Sequence, residues 1–198
     1  LAIDVVFPVL HGPYGEDGTI QGLFEMINLK YVGSGVLASA VSMDKSFAKP
    51  IFAAAGLKVA PGVVVTSSNF QLPSDLKFPL FVKPARSGSS RGTTKVKSES
   101  DLKNAVAFAL EFDTKVLIES AIVGREIECA VLQSDGKTLS SPVGQIVIDS
   151  KYEFYDFQAK YLDDSMQLVF PEDLPNEITE KIQKNALTAF KAAGCEGL

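Results

Sequence analysis

Histidine, cysteine and long apolar runs are all scarce in this chain. The one histidine is His11, and the two cysteines, Cys129 and Cys195, stand far apart with no CxxC or CxxH spacing. That argues against a disulfide framework or a Cys/His zinc site and fits a reducing compartment. No apolar run reaches the ~18 residues needed to cross a bilayer. The opening Leu1-Ala2-Ile3-Asp4 lacks the charged region of a secretion signal. Neither GxxxxGKS/T nor GxGxxG occurs, so any nucleotide must be held by an architecture other than the two commonest phosphate loops. There is no internal repeat and no low-complexity tract. A net charge of −5 gives no general attraction to nucleic acid or anionic membrane, so phosphate affinity has to be local.

What is present is ordinary globular material. With 198 residues, 46% hydrophobic and 22% charged, the chain can bury a core and hold one large or two small domains. It opens without methionine, directly in a strand-like run, and reads as part of something longer. The most informative stretch is Phe81 to Val96. Leu80, Phe81 and Val82 favour a pleated backbone, and Pro84 ends regular pairing because it has no N–H to give. Gly88 and Gly92 are expected to turn the loop, which returns through Thr94-Lys95-Val96. Successive amides in a small-residue loop can wrap an anion, and Lys83, Arg86 and Arg91 add charge nearby. The same composition also describes a Gly/Ser surface hairpin with three solvated cations.

Taken in order, Ile3 to Leu10 is dense enough for a strand buried on both faces. His11 to Gly18 follows as a loop, and Thr19 to Ile27 as a helix with Ile20, Leu23 and Ile27 on one face. Strand, loop and helix form an α/β unit whose ligands sit at the strand's carboxyl end, which is where His11 stands. A helix over Val36 to Met43 leads to a second one capped by Asp44, bent at Pro50 and stopped by Gly56. Lys45 in its first turn either extends into water or reaches an anion drawn to the same helix end.

Val59 to Thr66 is the next strand, Ser98 or Ser100 caps a helix to about Phe112, and Lys115 to Ser120 is a strand carrying Glu119. Glu126 to Leu132 alternates as a half-buried strand, Ser134-Asp135-Gly136 turns, and Pro142 to Ile148 pairs back as a hairpin. Glu119 and Glu126 fit an acid/base pair in type, but sequence spacing fixes no distance between them. Ser150 to Pro171 is long, polar and aromatic without a period, the pattern of a lid or of a small packing cluster. A last helix opens at Pro175 or Asn176 and ends at Gly194.

Six stretches in this order resemble the D-alanine–D-alanine ligase family of ATP-grasp enzymes. They are Val6 to Gly12, Gly15 to Gly22, Ala38 to Lys45, Phe81 to Gly92, Glu119 to Glu126, and Tyr155 to Tyr161. The resemblance implies an α/β (α+β) ATP-grasp fold, two antiparallel sheets gripping ATP, preceded by the end of an open α/β domain. Residues 1–35 would be that remainder, 36–119 the small subdomain and 120–198 a truncated large subdomain. It implies two D-alanines joined through an acyl-phosphate for peptidoglycan precursor synthesis, in a cytoplasmic homodimer with no nucleic-acid or membrane partner.

By the same resemblance Lys45 and Lys83 contact the phosphates, and the amides of Ser89, Ser90 and Arg91 close over them. Glu119, Ser120, Ala121 and Ile122 form the hinge facing adenine, Phe154 covers it, and Glu126 receives the ribose hydroxyls. Lys160 meets the transferring phosphate, Ser89 and Tyr161 pair beside the amino acids, and His11 lies near the first D-alanine. Magnesium or manganese ligands are expected beyond the C-terminus, and a glycine-rich strand with a substrate-binding glutamate before the N-terminus. Two other readings stay open: a ligase joining D-alanine to D-lactate, and a non-catalytic nucleotide-binding fragment.

Overall fold

The computed structural model describes residues 3–148 and 166–198. In chain order the elements are α1 (Thr19–Met26), α2 (Val36–Met43), α3 (Lys45–Ala54), β1 (Gly62–Val65), β2 (Leu80–Pro84), β3 (Thr94–Val96), α4 (Glu99–Leu110), β4 (Val116–Ser120), β5 (Glu126–Glu128), β6 (Val131–Ser134), β7 (Lys137–Ser140), β8 (Gly144–Ile148), β9 (Met166–Val169) and α5 (Asn176–Ala192). The chain divides into two compact units. The first comprises Leu1–Lys58, Glu126–Ile146 and Leu168–Leu198; the second comprises Val59–Arg125 and Val147–Gln167.

The second unit is built on an antiparallel sheet of order β1-β4-β2-β3. Leu80, Val82 and Pro84 alternate with Phe81 and Lys83, and only the first set is fully buried. Leu80, Val82, Val116 and Ile118 form a common core with Leu102, Val106 and Ala109 of α4, so the helix covers that face of the sheet. Ser98 stands at the N-cap position of α4 as expected. Its hydroxyl, however, lies 2.9 Å from an Asp101 carboxylate oxygen instead of capping a backbone amide.

One polar clamp fixes the end of β2 to the link between α4 and β4. Arg86 donates through its amide (2.8 Å), its Nε (3.1 Å) and its Nη2 (2.5 Å) to the Asp113 carboxylate. Arg86 is therefore a structural tie in this structure, a use that composition near the loop did not reveal.

The first unit carries three helices that end alike. After α3, Gly56 takes φ 84°, its amide bonds the Ala53 carbonyl, and the Leu57 amide bonds the Phe52 carbonyl. This is a Schellman stop, and glycine suits it because the left-handed residue carries no Cβ. Gly194 ends α5 in the same way, while Asn28, which the sequence did not single out, does so for α1. The cap at the other end of α3 also holds: Asp44 accepts from the Ser46 amide at 3.0 Å, and the helix is assigned unbroken through Pro50.

Two expectations are corrected. The run from Ile3 to Leu10 does not form a doubly buried strand. Val6 makes one parallel bridge to Tyr31, and Phe7 and Val9 are exposed; among the described residues no other strand offers this run a ladder. The hairpin is also rearranged. β5 does pair with β8, Glu126 opposite Ile146, but the Ser134-Asp135-Gly136 turn joins β6 to the unforeseen β7. Asp135 at φ 50° and Gly136 at φ 72° give the two positive dihedrals that a two-residue hairpin favours. The antiparallel pairing was foreseen, and the described strands fall into sheets of four, three and two strands.

Burial opposes ionisation of Asp113, but hydrogen bonds from Arg86 and from the Lys115 amide outweigh it and hold the carboxyl below its usual value. Such a carboxylate contributes stability that is complete above about pH 4 and is lost as pH falls through its lower folded value. Asp113→Asn is expected to cost about 1–3 kcal/mol at neutral pH. Urea unfolding at neutral and acid pH should show the gap between variant and parent closing in acid.

Candidate functional site

The face of the four-stranded sheet away from α4 carries the polar chemistry. Phe81 pairs with both Glu119 and Lys95, and Lys83 pairs with Leu117, so Lys83, Lys95 and Glu119 share that face. Lys83 and Glu119 are diagonal neighbours across β2 and β4, close enough to form an ion pair. Their side chains are 25% and 10% exposed, so water screens the pair only in part. Lys95 was missed as a candidate, although period-two alternation with buried Val96 signals its side of the sheet.

The loop after β2 turns only in part by the means expected: Gly92 does take a positive φ, of 71°. Ser89 and Ser90, not Gly88, take left-handed φ values of 51° and 57°, and the Arg91 amide donates to the Gly88 carbonyl at 3.1 Å. Two consecutive left-handed non-glycine residues cost roughly 1–2 kcal/mol each. Such backbone persists where the surroundings over-determine it. Those surroundings include the end of α4. A Cβ on Gly92 would lie 2.7 Å from Phe112, and the Arg91 guanidinium sits 5.9 Å from the same ring. Arg91 is thus spent on an aromatic face.

The segment from Glu119 to Ile122, at the end of β4, has two of its amides committed. Ser120 donates to the Pro61 carbonyl and Ala121 to the Pro79 carbonyl, at 2.9 and 3.1 Å. Ile122 is exposed. His11, Lys45 and Glu126 belong to the first unit. Lys45 opens α3 beside the Asp44 cap, and Glu126 is an exposed residue of β5.

His11 is exposed and precedes a loop that folds back on itself. Glu16 accepts from the Gly12 amide at 2.6 Å, and Asp17 accepts from the Tyr14 and Thr19 amides at 2.9 and 3.0 Å. Partial burial works against ionised Asp17, yet its bonds to Thr19 and Tyr14 hold the carboxyl below its ordinary value. The remaining candidates, Phe154, Lys160 and Tyr161, and the expected lid from Ser150 to Tyr161 lie outside the described residues. Among the described residues no group of three or more His, Cys, Asp or Glu side chains is placed to hold a metal ion.

The family model described as D-ala D-ala ligase C-terminus matches residues 51–198, and that described as D-ala D-ala ligase N-terminus matches residues 1–34. The chain belongs to the D-alanine–D-alanine ligase family. A D-alanine–D-alanine ligase of Arthrobacter sp. (strain FB24) is 51% identical over 209 residues, covering 100% of this chain and 55% of that protein. One of Mycobacterium avium (strain 104) is 50% identical over 206 residues, covering 100% and 56%. The chain therefore spans about half the length of the curated relatives it matches.

Solved structures of the family agree. The VanG D-Ala:D-Ser ligase of Enterococcus faecalis superposes with TM-score 0.87 at 39% identity, over 99% of this chain and 58% of that one. The D-alanine–D-alanine ligase of Bacillus anthracis, complexed with ATP, gives TM-score 0.80 at 34% identity, over 98% and 61%. The fold is the ATP-grasp fold of these ligases.

In this family member the Lys83–Glu119 pair is a measurable unit. Lys83→Met removes one cation from beside a largely buried carboxylate and is expected to cost about 1–3 kcal/mol in urea unfolding. Lys83→Met with Glu119→Gln should recover part of that loss. Strictly additive single effects would mean that the two side chains do not interact.

Proposed function

We propose that this chain is part of an ATP-dependent ligase that joins two D-alanines for peptidoglycan precursor synthesis. The observation that carries the reading is 51% identity, across the whole of this chain, to a protein named D-alanine–D-alanine ligase. The carboxylate of the first D-alanine attacks the terminal phosphorus of ATP, giving an acyl-phosphate and ADP. The amine of the second attacks the acyl carbon and expels phosphate.

In this reading Lys83, at the end of β2, and Lys45, at the start of α3, hold the nucleotide phosphates, where fixed cations stabilise charge in flight. Ser89, Ser90 and Arg91 form the loop over them. Glu119 to Ile122 meet adenine under Phe154, and Glu126 takes the ribose hydroxyls. Lys160 serves the transferring phosphate, Ser89 with Tyr161 orders the amino-acid pocket, and His11 stands by the first D-alanine. The segment from Ser150 to Tyr161 acts as the lid that keeps water from the acyl-phosphate.

The reading divides the chain into 1–35, 36–119 and 120–198. It draws magnesium or manganese ligands from beyond residue 198 and takes the molecule as a cytoplasmic homodimer. Among the described residues no helix is long and apolar enough to cross a membrane.

One observation favours a different acceptor: a solved structure with TM-score 0.87 is named a D-Ala:D-Ser ligase. Competition of D-alanine, D-serine and D-lactate as second substrates, with ATP and the full-length protein, separates these outcomes by product mass. The alanyl dipeptide is expected to dominate at neutral pH, and Tyr161→Phe should lower its synthesis by about tenfold through loss of one hydroxyl hydrogen bond. A dominant seryl or lactyl product would overturn the acceptor assignment. ATP-dependent synthesis of none of the three would overturn the ligase reading.

A further inference from the structure

We propose that Gln21 is the positioning residue that sets the loop bearing His11, and thereby tunes the site for the amino-acid substrate more than for the nucleotide. This rests on the functional reading above. Gln21 lies in the first turn of α1 and is 7% exposed. Its Nε2 donates to the Gly15 carbonyl at 2.9 Å, and its Oε1 is buried with no hydrogen-bond partner among the described residues. The carbonyl can only accept, so the amide nitrogen must face Gly15, and the orientation of the side chain is fixed.

The bond reaches His11 by a short path. A Cβ on Gly15 would lie 2.6 Å from the Cβ of Leu10, so Gly15 rests directly on the residue before His11. On the other side of His11, Gly12 is tied three times: its amide to the Glu16 carboxylate at 2.6 Å, and its carbonyl to the Gly15 and Glu16 amides at 3.2 and 3.0 Å. The carboxylate ties of this loop, from Glu16 and Asp17, are exposed to water, whereas the Gln21 bond is buried. A buried bond is the more costly to leave unmade, so Gln21 determines where Gly15, Leu10 and His11 stand.

The unpaired Oε1 distinguishes this role from packing. An apolar side chain of similar size would fill the same space without a buried, unsatisfied acceptor. The amide is used for its donor, and its open oxygen is the cost of that use.

The test uses the full-length protein with Gln21→Met, which keeps the length and removes the donor, and Gln21→Glu, whose carboxylate opposes the Gly15 carbonyl. An isotope label on histidine, with the His11 signal identified by its loss in His11→Gln, reports the surroundings of His11 by NMR. Both variants should move the His11 signal and speed amide exchange across 12–18. They should also raise KM for D-alanine about tenfold, the equivalent of one hydrogen bond, with KM for ATP unchanged. If one variant fails to fold, the other decides.

An unmoved His11 signal with unchanged exchange overturns the proposal, as does an equal rise in both KM values. If the parent protein makes no dipeptide, the functional reading fails separately, and the NMR and exchange results still decide the positioning role.

Discussion

The antiparallel register of β2 against β4 is the constraint on which the candidate site depends. With Phe81 opposite Glu119, Leu80 and Val82 face α4, while Lys83 and Glu119 meet on the other side. A slip of one residue would turn Lys83 into the apolar core and Val82 out of it. The fully buried side chains of Leu80, Val82, Val116 and Ile118 hold the register through hydrophobic burial. The packing of one face thus sets the chemistry of the other.

The three cations around the Ser/Gly loop divide the work differently from what their proximity in sequence implies. Arg86 ties β2 to Asp113, Arg91 lies over Phe112, and Lys83 pairs with Glu119. Arg86 and Arg91 therefore shape the frame of the loop. Lys83 meets Glu119 on the sheet face away from α4, where, on the functional reading above, an arriving phosphate would share its charge with that carboxylate. That competition is absent when Lys83 is read only as the cation at a strand's end.

Much of the fold was legible because its signals are local. Asp44 before α3, Gly56 after it, the helix after Ser98 and the pleated run from Leu80 to Val82 each follow from short-range chemistry, and all appear. What failed required partners distant in sequence. Glu126 to Leu132 does alternate in burial, but periodicity cannot say that Glu128 pairs with Gly144 while Val131 pairs with Ser140. Ser89 and Ser90 take left-handed backbone beside a permissive Gly88, and their identity alone gives no sign of it. The two-sided clamp of Arg86 on Asp113 spans residues that only the fold brings together. For the site, residue types and order identified the family, whereas the Lys83–Glu119 contact and the Gln21–Gly15 bond needed coordinates.

The central claim is that the Lys83 face of the β2–β4 pair receives nucleotide phosphate. Calorimetric titration of the full-length protein with a non-hydrolysable ATP analogue, parent against Lys83→Ala, tests it most directly. Loss of a charge-assisted partner is expected to cost about 1.5–3 kcal/mol, which weakens Kd by roughly tenfold to somewhat over a hundredfold. Equal affinity in the two proteins would contradict the claim and leave Lys83 as no more than the structural partner of Glu119.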